Sequence, residues 1–274
     1  MPRSEPITMM FPPFAGAVRR LVLANVAVFF AIAALEWLAP GPAQGLLGAL
    51  VLRPAAVAHG AVWQLVTYAF VHLDLLDVLF AMLTLWFCGT MLEQAYGTRW
   101  MVELYFCSAV GGAGLATLAA LAGMFRLGSH VAGYGAWAGL FGLLIAIAIR
   151  MGDTEFRMML LVPIKARYMV AIYLLIALAS VLKTGNAFGA ALALTGALCG
   201  TLYVKLAPRR GMAFGMSERY FSLRNAFYRN KRRQAAKKFE VYMGKQGRSV
   251  SFDKDGKYVD PDEKKDPTDK RWMN

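Results

Sequence analysis

The chain has 274 residues, 58% of them hydrophobic, and carries a formal net charge of +13. Soluble domains are about 45–50% apolar, so this composition excludes an ordinary soluble domain and points to a membrane body. The excess charge is confined: 18 of the 30 Lys and Arg residues follow Leu206, against 9 acids there. That pattern reads as a basic segment beside a membrane, where anionic lipid is the usual counterpart, and not as a nucleic-acid-binding protein.

In chain order, residues 1–16 form a short N-terminal segment with Arg3. The first apolar run, 20–39, is long enough to span and lacks an A-x-A-like cleavage site, so it reads as a retained helix and not as a signal peptide. Residues 40–74 form a long loop, apolar without being a convincing span. Its Trp63, Tyr68 and Phe70 fit a segment lying against the outer membrane interface. Five further candidate spans follow at roughly 75–95, 100–123, 132–150, 167–183 and 187–206. Polar and glycine interruptions in the second and sixth suit helices packed inside a bundle. Arg19 and Arg20 precede span one, and Arg150, Arg157, Lys165 and Arg167 lie between spans four and five. The opposite loops offer only Arg53, Arg126 and Lys183, which places both termini in the cytoplasm. The tail, 207–274, is read as a helix over about 217–243, capped by Ser217 and bearing Tyr220, Leu223 and Phe227 on one face. Beyond Gly244 the charged end is read as flexible.

The three cysteines, Cys88, Cys107 and Cys199, fall inside apolar runs without CxxC spacing. They imply neither a disulfide framework nor a zinc site. His72, Asp74 and Asp77 cluster at the start of span two, and carboxylates at membrane depth are functional suspects. Water can reach that end, so no metal and no cofactor is expected. His59 reads as a loop residue. No inverted repeat is visible, which argues against a transporter.

The stretch GYGAWAGLFG, residues 133–142, places four glycines and one phenol in an apolar run. Each glycine costs a helix about 1 kcal/mol relative to alanine, so the backbone here must be closely approached. Together with WQLVTYAFVHLDLLDVLFAML, GTMLEQAYGTRW, VPIKARY and ALALTGALCGTLYVK, in order and spacing, it resembles the rhomboid intramembrane serine proteases. The resemblance runs through most of residues 17–206. It implies an all-α polytopic membrane protein, a six-transmembrane-helix bundle with a cytoplasmic C-terminal tail, in a bacterial inner membrane.

The resemblance also assigns positions. The family's serine nucleophile in GxSG falls on Tyr134, its histidine base on Ala193, and its oxyanion-side histidine and asparagine on Asp77 and Ala81; an earlier histidine is retained as His72. A phenol is poorly suited to the nucleophile's role, and a methyl cannot accept a proton. The chain is therefore expected to be a pseudoprotease, no enzyme, that binds transmembrane client proteins as an adaptor or stabiliser. The alternative is a protease or other hydrolase using displaced groups such as Ser108, Ser129 or His130. A membrane-associated protease or AAA ATPase is the expected cytosolic partner class, and anionic lipid the expected surface for the tail.

Two packing expectations complete the reading. The Tyr134 ring is expected to refill the former catalytic cavity, with its hydroxyl on the Asp77 carboxylate, because volume-conserving exchanges are tolerated best. Gly135, Gly139 and Gly142 are expected to face Gly196 and Gly200 across a close helix contact, with the GGAG of residues 111–114 packing similarly. Homo-oligomerisation through these glycines is the competing use.

Overall fold

A computed structural model describes residues 12–124, 131–153, 155–158, 162–183, 187–207, 212–247, 250–253 and 255–259. The chain divides into two compact units, Met1–Met212 and Ala213–Asn274. The first is a helical bundle. Among the described residues, four helices are long and apolar enough to cross a membrane: α1 (Gly16–Leu38), α5 (Leu75–Tyr96), α6 (Thr98–Leu121) and α9 (Ala187–Leu206). Two are shorter: α7 (Trp137–Arg150), and α8 (Ala166–Lys183) with its apolar stretch over Ala166–Ala179.

The N-terminus of α1 is held by a carboxylate from another helix. Ala17 and Val18 donate their backbone N–H groups to Glu93 Oε1 and Oε2 at 3.0 and 3.2 Å, and Thr98 Oγ1 donates to Oε1 at 2.6 Å. This satisfies two of the donors that every helix start leaves open and sets a negative charge at the positive end of the helix dipole. Glu93 lies in the last turn of α5, so α1 and α5 run antiparallel, and Asp74 at the start of α5 lies at the opposite end of the bundle from Gly16.

The centre of the unit is α6, α7 and α9, which pack at backbone distance. A Cβ on Gly112 of α6 would stand 2.8 Å from Gly196 Cα of α9, and one on Gly196 would stand 2.7 Å from Ala138 Cα of α7. A Cβ on Gly200 would stand 2.6 Å from Gly142 Cα. Such separations are available to glycine alone. The expected facing of α7 against α9 holds at Gly142–Gly200, but Gly139 looks instead into the Tyr105 ring of α6. Gly142 also meets Ser108 of α6. In the GGAG segment Gly111 lies against Cys199 and Gly112 against Gly196, whereas Gly114 has no neighbour within 4 Å. One stripe of glycines thus serves two neighbouring helices, because α7 is wedged between α6 and α9.

The fourth span begins later than its apolar run. Residues 131–136 are not helical, and Gly133 pairs with Leu52 through two backbone hydrogen bonds of 2.8 and 2.9 Å. Gly135 has φ +92°, a left-handed conformation that favours glycine, so α7 starts only at Trp137. The partner strand comes from the 40–74 loop, which folds into α2 (Pro40–Leu50), α3 (Pro54–Ala58), α4 (Gln64–Thr67) and a 3₁₀ turn over Tyr68–Phe70. Buried Gln64 organises it, accepting from Arg53 N at 2.9 Å and donating to the Gly48 and Ala49 carbonyls. Tyr68, fully buried, donates to the Ala109 carbonyl of α6 at 2.7 Å. Val62 and Trp63 stay exposed, as suits a segment at a membrane interface.

Between α7 and α8 the sequence reading placed no strands, yet β1 (Glu155–Met158) and β2 (Val162–Lys165) form an antiparallel hairpin. Ser129 and His130 lie outside the described residues. In the second unit, α10 spans Met212–Lys245, so Ser217 lies inside the helix and is not its cap. The segment beyond Gly244, read from its charge as flexible, contains a hairpin of β3 (Ser251–Phe252) and β4 (Tyr258–Val259). The Phe252 ring sits 6.2 Å from both Phe239 and Tyr258. Gly256, at φ +75°, turns the chain against the backbone of Arg232 and Arg233. Three aromatic rings supply an apolar contact that the surrounding charge conceals.

The glycine geometry predicts a sharp contrast. Gly196→Val should abolish recovery of folded protein in detergent, since its side chain meets helix backbone. Gly114→Ala should leave the thermal unfolding midpoint unchanged or raised, worth about 0.5–1 kcal/mol at most. Equal tolerance of both would refute the close-packed centre.

Candidate functional site

Three of the five positions singled out in the sequence, Asp77, Tyr134 and Ala193, meet around one cavity of about 360 Å³. Its walls come from the start of α5 (Asp74, Asp77), the 132–135 segment with Tyr134, the start of α7 (Trp137), α8 (Tyr173, Ile176, Ala177) and α9 (Ala190, Ala193). Ala81 does not border it; it is buried in the core with Val78, Leu85 and Leu140.

Asp77 is the organising group. It sits in the first turn of α5, where the helix dipole favours an anion. One carboxylate oxygen accepts from Trp137 Nε1 at 2.6 Å, and the other pairs with His72 Nδ1 at 2.7 Å. Trp137 opens α7 and His72 precedes α5, so this one side chain ties the start of α5 to the start of α7. The Asp77 side chain keeps 22% of its surface exposed, whereas that of His72 is fully buried. With Nδ1 on Asp77, His72 Nε2 has no hydrogen-bond partner among the described residues. The imidazole thus supports the carboxylate from behind, and the carboxylate faces the cavity.

The expected Tyr134–Asp77 hydrogen bond is not formed. Tyr134 packs against the cluster of Ile32, Val51 and Val71, beside the loop that pins Gly133. Asp77 is engaged instead by Trp137, three residues further along. The reason is local. The Leu52–Gly133 pairing and the positive φ of Gly135 turn the chain between Tyr134 and α7, and Gly135 N donates to the Tyr68 carbonyl at 3.0 Å. That turn sends the phenol toward α1 and the loop and brings the indole N–H to the carboxylate. The ring therefore does not refill the space, and the cavity stays open between Tyr134, Asp77 and Ala193. Two signals for the true partners were legible: an indole one turn past the tyrosine, and a histidine five residues before the aspartate in the same apolar segment.

The remaining candidates are placed elsewhere. Ser108 is fully buried where α6 meets Gly142 and Gly200, and its hydroxyl has no hydrogen-bond partner among the described residues. His59 is exposed at the end of α3. The three cysteines are free. Among the described residues no group of three or more His, Cys, Asp or Glu is arranged to hold a metal ion.

A membrane bundle with glycine-seamed helices and a cavity at the start of its fourth apolar run defines a class of multi-pass membrane protein. Compared with known families, the chain matches the rhomboid domain over residues 59–234, more than half its length, and it belongs to the rhomboid family. The matched stretch begins after α1 and ends inside α10. Among curated proteins, none matches the chain.

The geometry predicts strong coupling between Asp77 and Trp137. A hydrogen bond to a charged group contributes about 1.5–3 kcal/mol, so Trp137→Phe should lower stability by that order in a denaturant titration of the micelle-bound protein. In an Asp77→Ala background the same exchange should cost less than about 0.5 kcal/mol. Additive losses would show that the pair does not interact.

Proposed function

We propose that this rhomboid is a pseudoprotease: it holds transmembrane segments of client proteins at the cavity and releases them uncut. The observation that carries the reading is the chemistry of two residues on the cavity wall. A phenol, Tyr134, and a methyl, Ala193, border the cavity at the positions where the family resemblance places nucleophile and base. Hydrolysis of a peptide bond by this route needs a hydroxyl activated by a base within hydrogen-bond reach. Among the described residues, the imidazole in contact with the cavity wall is His72, which is committed to Asp77 and fully buried. Ser108 is enclosed by helix backbone.

The binding half of the proposal rests on the flanks. The start of α5 and the middle of α8 both wall the cavity, and both helices carry exposed apolar side chains, Leu76 and Leu79 on α5 and Ile172 and Leu175 on α8. A client helix entering from the bilayer would meet apolar surface first and polar groups at the cavity end. The positive-inside pattern supports cytoplasmic termini. The basic helix α10, with exposed Arg229, Lys231, Arg232 and Arg233, would then face anionic lipid or a cytosolic partner such as a membrane-associated AAA protease.

Two measurements test this. Purified protein in liposomes should leave a single-pass substrate uncut and take up no fluorophosphonate label. Photo-crosslinkers at Leu79 and Leu175 in native membranes should capture integral membrane proteins at full length. Cleavage abolished by exchanging one hydroxyl or imidazole in the bundle, or capture of lipid alone, would overturn the reading.

A further inference from the structure

We propose that the cavity is a cation site, and that it selects client helices carrying a lysine or arginine at the end of the span that lies beside Asp74. The inference rests on the client-binding reading above and adds the chemistry by which a client is chosen.

Asp74 and Asp77 both line the cavity, and no lysine, arginine or histidine is among its described lining residues. Asp74 occupies the N-cap position of α5 with extended backbone, φ −113° and ψ 140°, yet makes no capping hydrogen bond. An aspartate in that position ordinarily accepts from the N–H groups of the first turn. Here its carboxylate stays exposed at the rim, without an ion pair among the described residues. Asp77 accepts one bond on each oxygen; a carboxylate offers about four acceptor sites, so acceptor capacity remains toward the cavity. The tryptophan and histidine fix its direction without covering it.

The other walls complete the fit. Tyr134, Trp137, Phe141 and Tyr173 line the same space, and aromatic faces attract ammonium and guanidinium groups. Two carboxylates, Asp77 paired with His72 on its far side and Asp74 unpaired among the described residues, stand in an aromatic-walled recess whose described lining holds no lysine or arginine. The recess opens beside the apolar flanks of α5 and α8, so the matching occupant is an apolar helix bearing one cation at the corresponding depth. Long basic side chains reach such a site by extending along the helix surface toward the interface.

The test uses the full chain in nanodiscs and synthetic single-span peptides of about 20 apolar residues. One peptide carries Lys at the end beside Asp74, one carries Gln there, and one carries Lys at the opposite end. The near-end Lys peptide should bind about tenfold more tightly than the Gln peptide, the ratio that 1.4 kcal/mol of cation recognition gives. Asp74→Asn should erase most of that ratio while leaving the unfolding midpoint unchanged, because the Asp74 side chain makes no capping bond or ion pair among the described residues. Raising ionic strength should shrink the ratio. Equal binding of all three peptides would overturn the cation site and leave the adaptor reading standing. Binding by none would overturn both. Full competition by n-butylamine at millimolar concentration would assign the site to small amines and overturn the client assignment.

Discussion

The constraint on which the fold depends is the backbone approach of α6, α7 and α9. Gly112, Gly196 and Ala138 stack through three helices, and Gly142 meets Gly200 one turn further along. In a bilayer, lipid tails are as apolar as leucine, so helices associate through close van der Waals contact and not through expulsion of water. That contact requires the absence of side chains along the seam. It also fixes the start of α7, since a helix clamped on both sides cannot extend through the residues that must pair with Leu52.

From that clamp the site follows. The 133–135 segment cannot be helical, so it crosses as a short extended piece held by Leu52 and by the Tyr68 carbonyl. The crossing divides two neighbouring aromatic residues between two destinations. Tyr134 goes to the apolar cluster beside α1, and Trp137 goes to Asp77. A carboxylate braced by an indole and an imidazole then stands at one wall of an unfilled recess. The cavity is a consequence of backbone geometry first and of side-chain identity second.

Much of this was legible in the sequence and some was not. The apolar runs located the four long and two shorter apolar helices to within a few residues, except that α7 begins at Trp137 and not near residue 132. Helices α2, α3 and α4 fell in what read as a loop. Hydrophobicity alone does not register a backbone pairing such as Leu52–Gly133. The glycines announced close contact, but not that Gly139 would look at α6, because one helix face can serve two neighbours. The pairing of Tyr134 with Asp77 was expected from volume and proximity, and the positive φ of Gly135 redirected it. In the tail, charge density hid a hairpin whose stability comes from Phe239, Phe252 and Tyr258. In each case the missing information was a contact between segments distant in the chain.

The central claim is that the recess between Asp77, Tyr134 and Ala193 is open and receives a client helix. A cysteine placed at position 193 by Ala193→Cys reports on it directly through its rate of modification by a small methanethiosulfonate reagent in nanodiscs. The account predicts ready labelling, slowed several-fold when a bound single-span peptide covers the cavity. A cysteine there that resists the reagent in the protein alone would mean the space is filled, and a rate indifferent to peptide would mean that clients bind elsewhere.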